Sequence, residues 1–403
     1  MAASTDGRLT ETVNGVEYWF DEAAADAAVA FFVTYLVLTE GEWAGRPFEL
    51  QVWQATIVRD VFGWKRPDGT RRYRVLYIEV PRKNGKTELA AGIALLLLVA
   101  DGELGAQIYT MGVNEDQAKI AFSKATEMVK RSEPLGGHVE AFKTSLFCPE
   151  LNAALKPITS KVVGKQGFNP SGSVSDELHE WKDGDLYRAV REGEGARRQP
   201  LDVMITTAGE FGVGFGWEMH DYAAKVIEGE IVDPSFYAVI YAANDNDDWT
   251  DPQVWAKANP NYPMSPKHDF LAEECERAKA NPRLENRFKR YFLDLWTEQT
   301  TRWLPMDGWD AGVGDRGWRQ FEAALAGKVC WGGLDLSSTT DFTALVWVFG
   351  ADGDLEDKDG DPVLLLPRLW IPEDRVAEKV SKMRRPIDRW VREGAVIATP
   401  GNV

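Results

Sequence analysis

The sequence predicts an α/β protein whose first half builds a mainly parallel β-sheet with helices on both faces. Three observations predict it. Short apolar runs at 74–80, 106–113, 201–209 and 237–244 alternate with helical segments, the pattern of crossover units. Two apolar stretches, 28–38 and 90–100, are only eleven residues each, too short to cross a bilayer and suited to buried helices. Between the first strand and the second of those helices stands a compact polar motif, Pro81-Arg82-Lys83-Asn84-Gly85-Lys86-Thr87.

Taken in order, residues 21–40 read as an amphipathic helix, and 41–64 follow with aromatics and a proline turn. A strand over Arg74–Val80 enters the polar motif, and a helix begins near Thr87. A strand at 106–113 and a helix over Glu115–Arg131 come next. "SGSVSDELHEW" (171–181) ends a polar strand in two acids, and "LDVMITTAG" (201–209) ends another in small residues. Composition turns polar at 244–255, and a helical, aromatic-rich segment follows. From 328, two strands joined by a polar turn, a third strand at 363–371, a helix at about 373–393 and the start of another strand complete the chain. The expected domains are 1–245, 246–327 and 328–403, the last read as incomplete.

Hydrophobic residues at 44% and charged ones at 27% suit a soluble globular protein. Cys148, Cys275 and Cys330 have no metal-ligand spacing and read as reduced thiols. The N-terminal residues lack the basic-then-apolar pattern of an export signal. A net charge of −17 argues against coating nucleic acid by bulk electrostatics. A local basic groove or an oligomeric channel stays open.

The polar motif reads as a phosphate cradle. Gly85-Lys86-Thr87 match the end of the Gly-x4-Gly-Lys-Ser/Thr loop, with Val80 where the first glycine stands. Main-chain N–H groups over Asn84–Thr87, with the positive end of a helix, suit an anion even without that glycine. Lys86 is placed for terminal phosphates, Thr87 for magnesium, and Arg82 and Lys83 for charge beside the γ-phosphate. Asp176 is the partner that holds the metal through water, and Glu177 the acid that polarises attacking water. Thr206 and Thr207, at a strand end, are placed to sense the γ-phosphate. The plain alternatives are a charged strand-to-helix turn, a solvated acidic turn and an ordinary strand end.

Six segments in order, "GEWAGRPFELQVWQ", "PRKNGKTE", "GFNPSGSVSDELHEW", "ITTAG", "VWAKANP" and "GGLDLSSTTDFTAL", resemble the large terminase subunit of tailed bacteriophages. The resemblance implies a P-loop ATPase that drives double-stranded DNA into a capsid, joined to an RNase H-like nuclease. It implies an adenine-side role for Trp53 and Gln54, a loop arginine at Arg82, the acidic pair at Asp176 and Glu177, and coupling at Thr206 and Thr207. Such motors act as rings in which one subunit's basic residue completes its neighbour's site. Lys165, Arg188, Arg191, Arg197 and Arg198 are the candidates, each alternatively a surface charge. Asp335 matches the first nuclease metal ligand, while Asp341 alternatively caps the turn.

ATP and Mg2+ are the implied cofactors, with Mn2+ or Mg2+ for the nuclease. The implied partners are DNA, the portal protein and the small terminase subunit, in the host cytoplasm with no membrane. A ring is expected in action and a monomer in isolation. The later nuclease carboxylates are expected beyond this chain, so that as given it is expected not to cut DNA. The loop 350–362 fits no calcium-loop register. Two other readings remain: a helicase-like ATPase, suggested by "DELH", and a capsid-docking component with a vestigial ATP site.

Overall fold

The computed structural model describes residues 2–3, 8–160, 167–297, 318–337, 342–350, 363–376 and 387–401. Lys165, Asp341 and residues 351–362 lie outside them. The chain forms two compact units, 1–303 and 304–403.

The first unit begins with a small antiparallel sheet of β1 (Ala2–Ala3), β2 (Leu9–Val13), β3 (Val16–Phe20) and β4 (Trp64–Lys65). Asn14 and Gly15, at φ 52° and 78°, make the tight turn between β2 and β3. Helix α1 (Glu22–Tyr35) starts at Asp21, whose carboxylate accepts the Ala24 N–H at 3.1 Å. Helix α2 (Val52–Gly63) leads back to β4.

The main sheet is built from β5 (Val75–Glu79), β6 (Gln107–Gly112), β7 (Glu140–Ala141), β8 (Leu146–Cys148), β9 (Ala153–Thr159), β10 (Gly172–Asp176), β11 (Leu201–Thr206) and β12 (Phe236–Ile240). Its order is β12-β5-β11-β10-β6-β9-β8-β7. The first six in that order are parallel, and β8 and β7 extend the edge antiparallel. Between the strands run α3 (Lys86–Val99), α4 (Glu115–Arg131), the short α5 (Glu133–Gly136), α6 (Asp185–Arg191) and α7 (Gly214–Ile227).

Alternating side chains divide the sheet's two faces. Leu76, Ile78, Val203 and Ile205 pack with α1 to α4, whereas Val75, Tyr77 and Met204 pack with α6 and α7. Helix α3 is buried from Leu89 to Leu98, which explains its unbroken apolar run. At Gly92 a Cβ would come within 2.4 Å of the Phe32 ring, so the α1–α3 crossing needs glycine there.

Helices α8 (Pro252–Ala258), α9 (His268–Ala280) and α10 (Pro282–Leu293) belong to this first unit and share a core around Trp255, Leu271 and Phe288. The second unit holds α11 (Trp318–Leu325), β13 (Trp331–Asp335), β14 (Thr343–Phe349), β15 (Leu364–Pro372), α12 (Ile387–Glu393) and β16 (Val396–Thr399). Its sheet has the order β13-β14-β15-β16, antiparallel except for the β15–β16 pair. No helix among the described residues is long and apolar enough to cross a membrane.

Candidate functional site

Register brings three strand ends together. Glu79 of β5 pairs with Thr206 of β11, and Ile205 with Asp176 of β10. The loop after β5, the acidic pair after β10 and the two threonines ending β11 therefore share the carboxyl edge, where ligands of open α/β sheets sit.

Lys83 (φ 73°) and Gly85 (φ 80°) take left-handed conformations in the loop, and α3 starts directly after Gly85. Such turns direct successive N–H groups into one concavity. Lys86 is buried; its Nζ donates to the Thr207 hydroxyl and lies 3.6 Å from Glu177 Oε1. Thr87 Oγ1 lies 3.4 Å from Asp176 Oδ2. The sequence-distant cradle, acids and threonines form one site.

Burial, then the neighbouring Glu177 carboxylate, pushes the Asp176 carboxyl up to about 7. Glu177 itself has φ 51°, strained for a residue with a side chain. Its Oε2 lies 3.3 Å from His179 Nδ1 but makes no hydrogen bond. His179 donates its main-chain N–H to the Thr206 hydroxyl at 3.0 Å, tying the acidic turn to β11. Helix α7 closes against that turn: a Cβ on Gly216 would stand 2.6 Å from Leu178 O and 2.7 Å from His179 Cα.

Arg82 lays its guanidinium 3.6 Å from the centre of the Tyr291 ring, and Lys83 is exposed. Trp53 is buried, with its indole N–H on Asn261 Oδ1 at 2.7 Å. Gln54 is buried too. Its Oε1 accepts the Gln51 N–H at 3.0 Å, and its Nε2 is 3.6 Å from where a Cβ on Gly85 would stand. The amide's acceptor is thus engaged in capping α2, and its nitrogen faces the loop.

The basic candidates divide. Arg191 bonds Asp202 Oδ2 at 2.7 Å, and Arg197 bonds Asn169 O and Gly105 O, each at 2.9 Å. Both side chains are engaged inside the subunit, at the opposite edge of the sheet. Arg188 pairs with Asp185 at the surface, and Arg198 is exposed. In the second unit, Asp335 ends β13 beside Ala344 and is exposed. No group of three His, Cys, Asp or Glu among the described residues could hold a metal ion.

Several site residues carry no local sequence signal. Asp294 accepts the Ala208 N–H at 2.6 Å, just past the threonine pair. Buried Glu79 accepts from Trp296 Nε1 at 2.8 Å and contacts His220 Nδ1 at 2.9 Å. Asn259, inside the "VWAKANP" segment of the resemblance, and Asn261 just beyond it meet the loop after β5 from the stretch that reads as helical, and the resemblance implies no role for either. A buried carboxylate at a strand end is the one hint, since Glu79 interrupts an apolar run.

Two family models match the chain: the terminase large subunit ATPase domain over residues 52–225 and the endonuclease domain over 230–356. The chain belongs to the terminase large-subunit family. It is 32% identical over 243 residues to protein YmfN of Escherichia coli (strain K12), covering 58% of this chain and 51% of that protein. With the terminase large subunit of Enterobacteria phage HK97 it shares 27% identity over 388 residues, 93% of this chain and 71% of the relative. The chain thus spans about half of the one relative and under three quarters of the other. The crystal structure of the HK97 bacteriophage large terminase has the same fold, with a TM-score of 0.59 at 24% identity over 94% of this chain and 74% of that one. The terminase ATPase match contains the loop, the acidic pair and both threonines described above.

Proposed function

We propose that this chain is the ATP-hydrolysing motor subunit that moves double-stranded viral DNA into a capsid, and that it carries part or all of a metal-dependent endonuclease domain. The observation that carries the ATPase reading is the approach of Thr87 to Asp176 while Lys86 reaches Thr207 and Glu177. The donor set fits Mg2+ and a triphosphate: a hydroxyl and a carboxylate side by side, a buried lysine, and a Glu177 oxygen that accepts no hydrogen bond.

When bound, Mg2+ supplies charge that neutralises phosphate oxygens. Thr87 and Asp176 would hold it, the latter through water. Lys86 binds the terminal phosphates, with Arg82 and Lys83 adding charge and the Asn84–Thr87 amides forming the cradle. Glu177 orients water and accepts its proton, and Thr206 and Thr207 report the phosphate state along β11. Gln54 and Trp53 serve the adenine side. Arg188 and Arg198, free of buried partnerships, are the leading candidates for a residue acting on a neighbouring subunit in a ring. The portal protein and small subunit are the proposed partners, in the host cytoplasm.

Phosphate release by wild type, Lys86→Ala and Glu177→Ala tests this reading. Loss of at least a hundredfold in each variant is expected, and equal turnover in all three would overturn it. The nuclease reading rests on the family match and Asp335, the one carboxylate on the described strands of the second sheet. A two-metal site needs several, which supports the reading that this 403-residue chain alone does not cut. Plasmid nicking in Mn2+ decides it, and robust cutting would refute it.

A further inference from the structure

The phosphate loop is gripped from outside its own strand and helix. Buried Asn84 donates from Nδ2 to Pro81 O at 3.1 Å and to Asn259 Oδ1 at 2.8 Å. Its Oδ1 accepts the Asn261 main-chain N–H at 3.2 Å. Asn259 is anchored in turn, donating to Trp255 O at 2.9 Å and Phe292 O at 2.8 Å. Asn261 then reaches two ways. Its Nδ2 donates to the Asn84 main-chain carbonyl at 2.7 Å, and its Oδ1 accepts the Trp53 indole N–H at 2.7 Å. The Ser265 hydroxyl donates to the Lys83 carbonyl.

The choice of loop atoms matters. In a planar trans peptide the carbonyl of one residue and the N–H of the next point in opposite directions. Holding the Lys83 and Asn84 carbonyls outward therefore turns the Asn84 and Gly85 N–H groups inward, into the concavity over the start of α3. A clamp that merely fastened the segment to the core had no need to select these two carbonyls. The second feature is the branch to Trp53: one amide side chain bonds both the adenine-side helix and the cradle.

We infer that Asn261, seated by Asn259, is a positioning residue that presets the phosphate-binding N–H groups, and that Trp53 acts through it on the phosphate end of the ligand. This rests on the reading that the loop binds a nucleoside triphosphate. It assigns Trp53 a role that a base-contacting residue does not have, because a ligand without a base would also feel its indole N–H.

The test is competition between a fluorescent ATP analogue and inorganic tripolyphosphate on the full chain with Mg2+, for wild type, Asn261→Ala, Trp53→Phe and the double variant. Tripolyphosphate should bind about tenfold more weakly to Asn261→Ala and about threefold more weakly to Trp53→Phe, the scale of one or two lost neutral hydrogen bonds. The double variant should be no weaker than Asn261→Ala, since both changes break one chain of contacts. Unchanged tripolyphosphate binding in Asn261→Ala, or in Trp53→Phe, overturns the inference, as does simple multiplication of the two effects. If Asn261→Ala does not fold, Trp53→Phe alone decides. Lys86→Ala serves as the separate control: equal analogue binding by it and by wild type refutes the nucleotide site itself, whatever the asparagine variants do.

Discussion

The two edges of the eight-stranded sheet both bury charge, but they balance it differently. At the amino edge, Arg71 grips Asp101 through two contacts of 2.7 and 3.3 Å, Arg197 meets Glu103 at 3.3 Å, and Arg191 meets Asp202 at 2.7 Å. Each of these three acids has a guanidinium. At the carboxyl edge, Asp176, Glu177 and Asp294 gather around one buried lysine, Lys86, while Glu79 is held by Trp296 and His220. Burial and the nearby Glu79 hold the Asp294 carboxyl well above the ordinary range. Charge that is matched internally is architecture; acid in excess of base distinguishes the edge where the proposed nucleotide and its cation would sit.

The contrast breaks most visibly at Arg71, whose side chain is 1% exposed. Arg71→Ala should cost about 4 kcal/mol, because it strands Asp101 as an unpaired buried charge. Chemical denaturation measures it, and a loss below about 1 kcal/mol would mean the amino edge is not held by its pairs.

Asp176→Asn should have the opposite sign. An acid raised from 3.8 to about 7 binds its proton more readily folded than unfolded. This group's contribution to nucleotide-free stability is therefore full below pH 4 and is lost as pH rises towards and through 7. The asparagine variant escapes that loss and should gain about 2 kcal/mol at pH 8, while ATP turnover disappears. Melting temperatures of both proteins at pH 5 and pH 8 check the slope. Equal slopes would remove the claim that this edge is strained by unmatched acid.

The smallest effect sharpens the comparison at its exception. Glu194 lies with Asp202 on a single arginine, and burial, then Asp202, pushes its carboxyl up from 4.5 to about 9. Stability should fall between those pH values, and Glu194→Gln should flatten that fall by about 1 kcal/mol, read from melting curves across the interval.

The clustering of the candidate residues was legible where neighbours in space are neighbours in sequence. An apolar strand, Gly85-Lys86-Thr87 and a helix buried on all sides mark the strand-to-helix turn, and an acid pair ending a later strand falls beside it. The Asn14-Gly15 turn carries a hairpin signal of its own, but β2 and β3 are short and half-polar, so periodicity alone passes over them. Asn259 is 175 residues from Asn84, and although "VWAKANP" belongs to the resemblance, nothing in that segment marks its asparagine as a latch. Arg191 and Arg197 look like surface arginines for the same reason. Arg197 finds its acid 94 residues away, at Glu103. Pairing across the fold is what one-dimensional spacing does not encode.

Gly216 gives the acidic turn a mechanical boundary. Helix α7 is seated directly on the Leu178 carbonyl and the His179 backbone, so the turn that follows Glu177 and the start of that helix share one contact surface. One added methyl at Gly216 would wedge the two apart and displace the acidic turn from its place beside the loop.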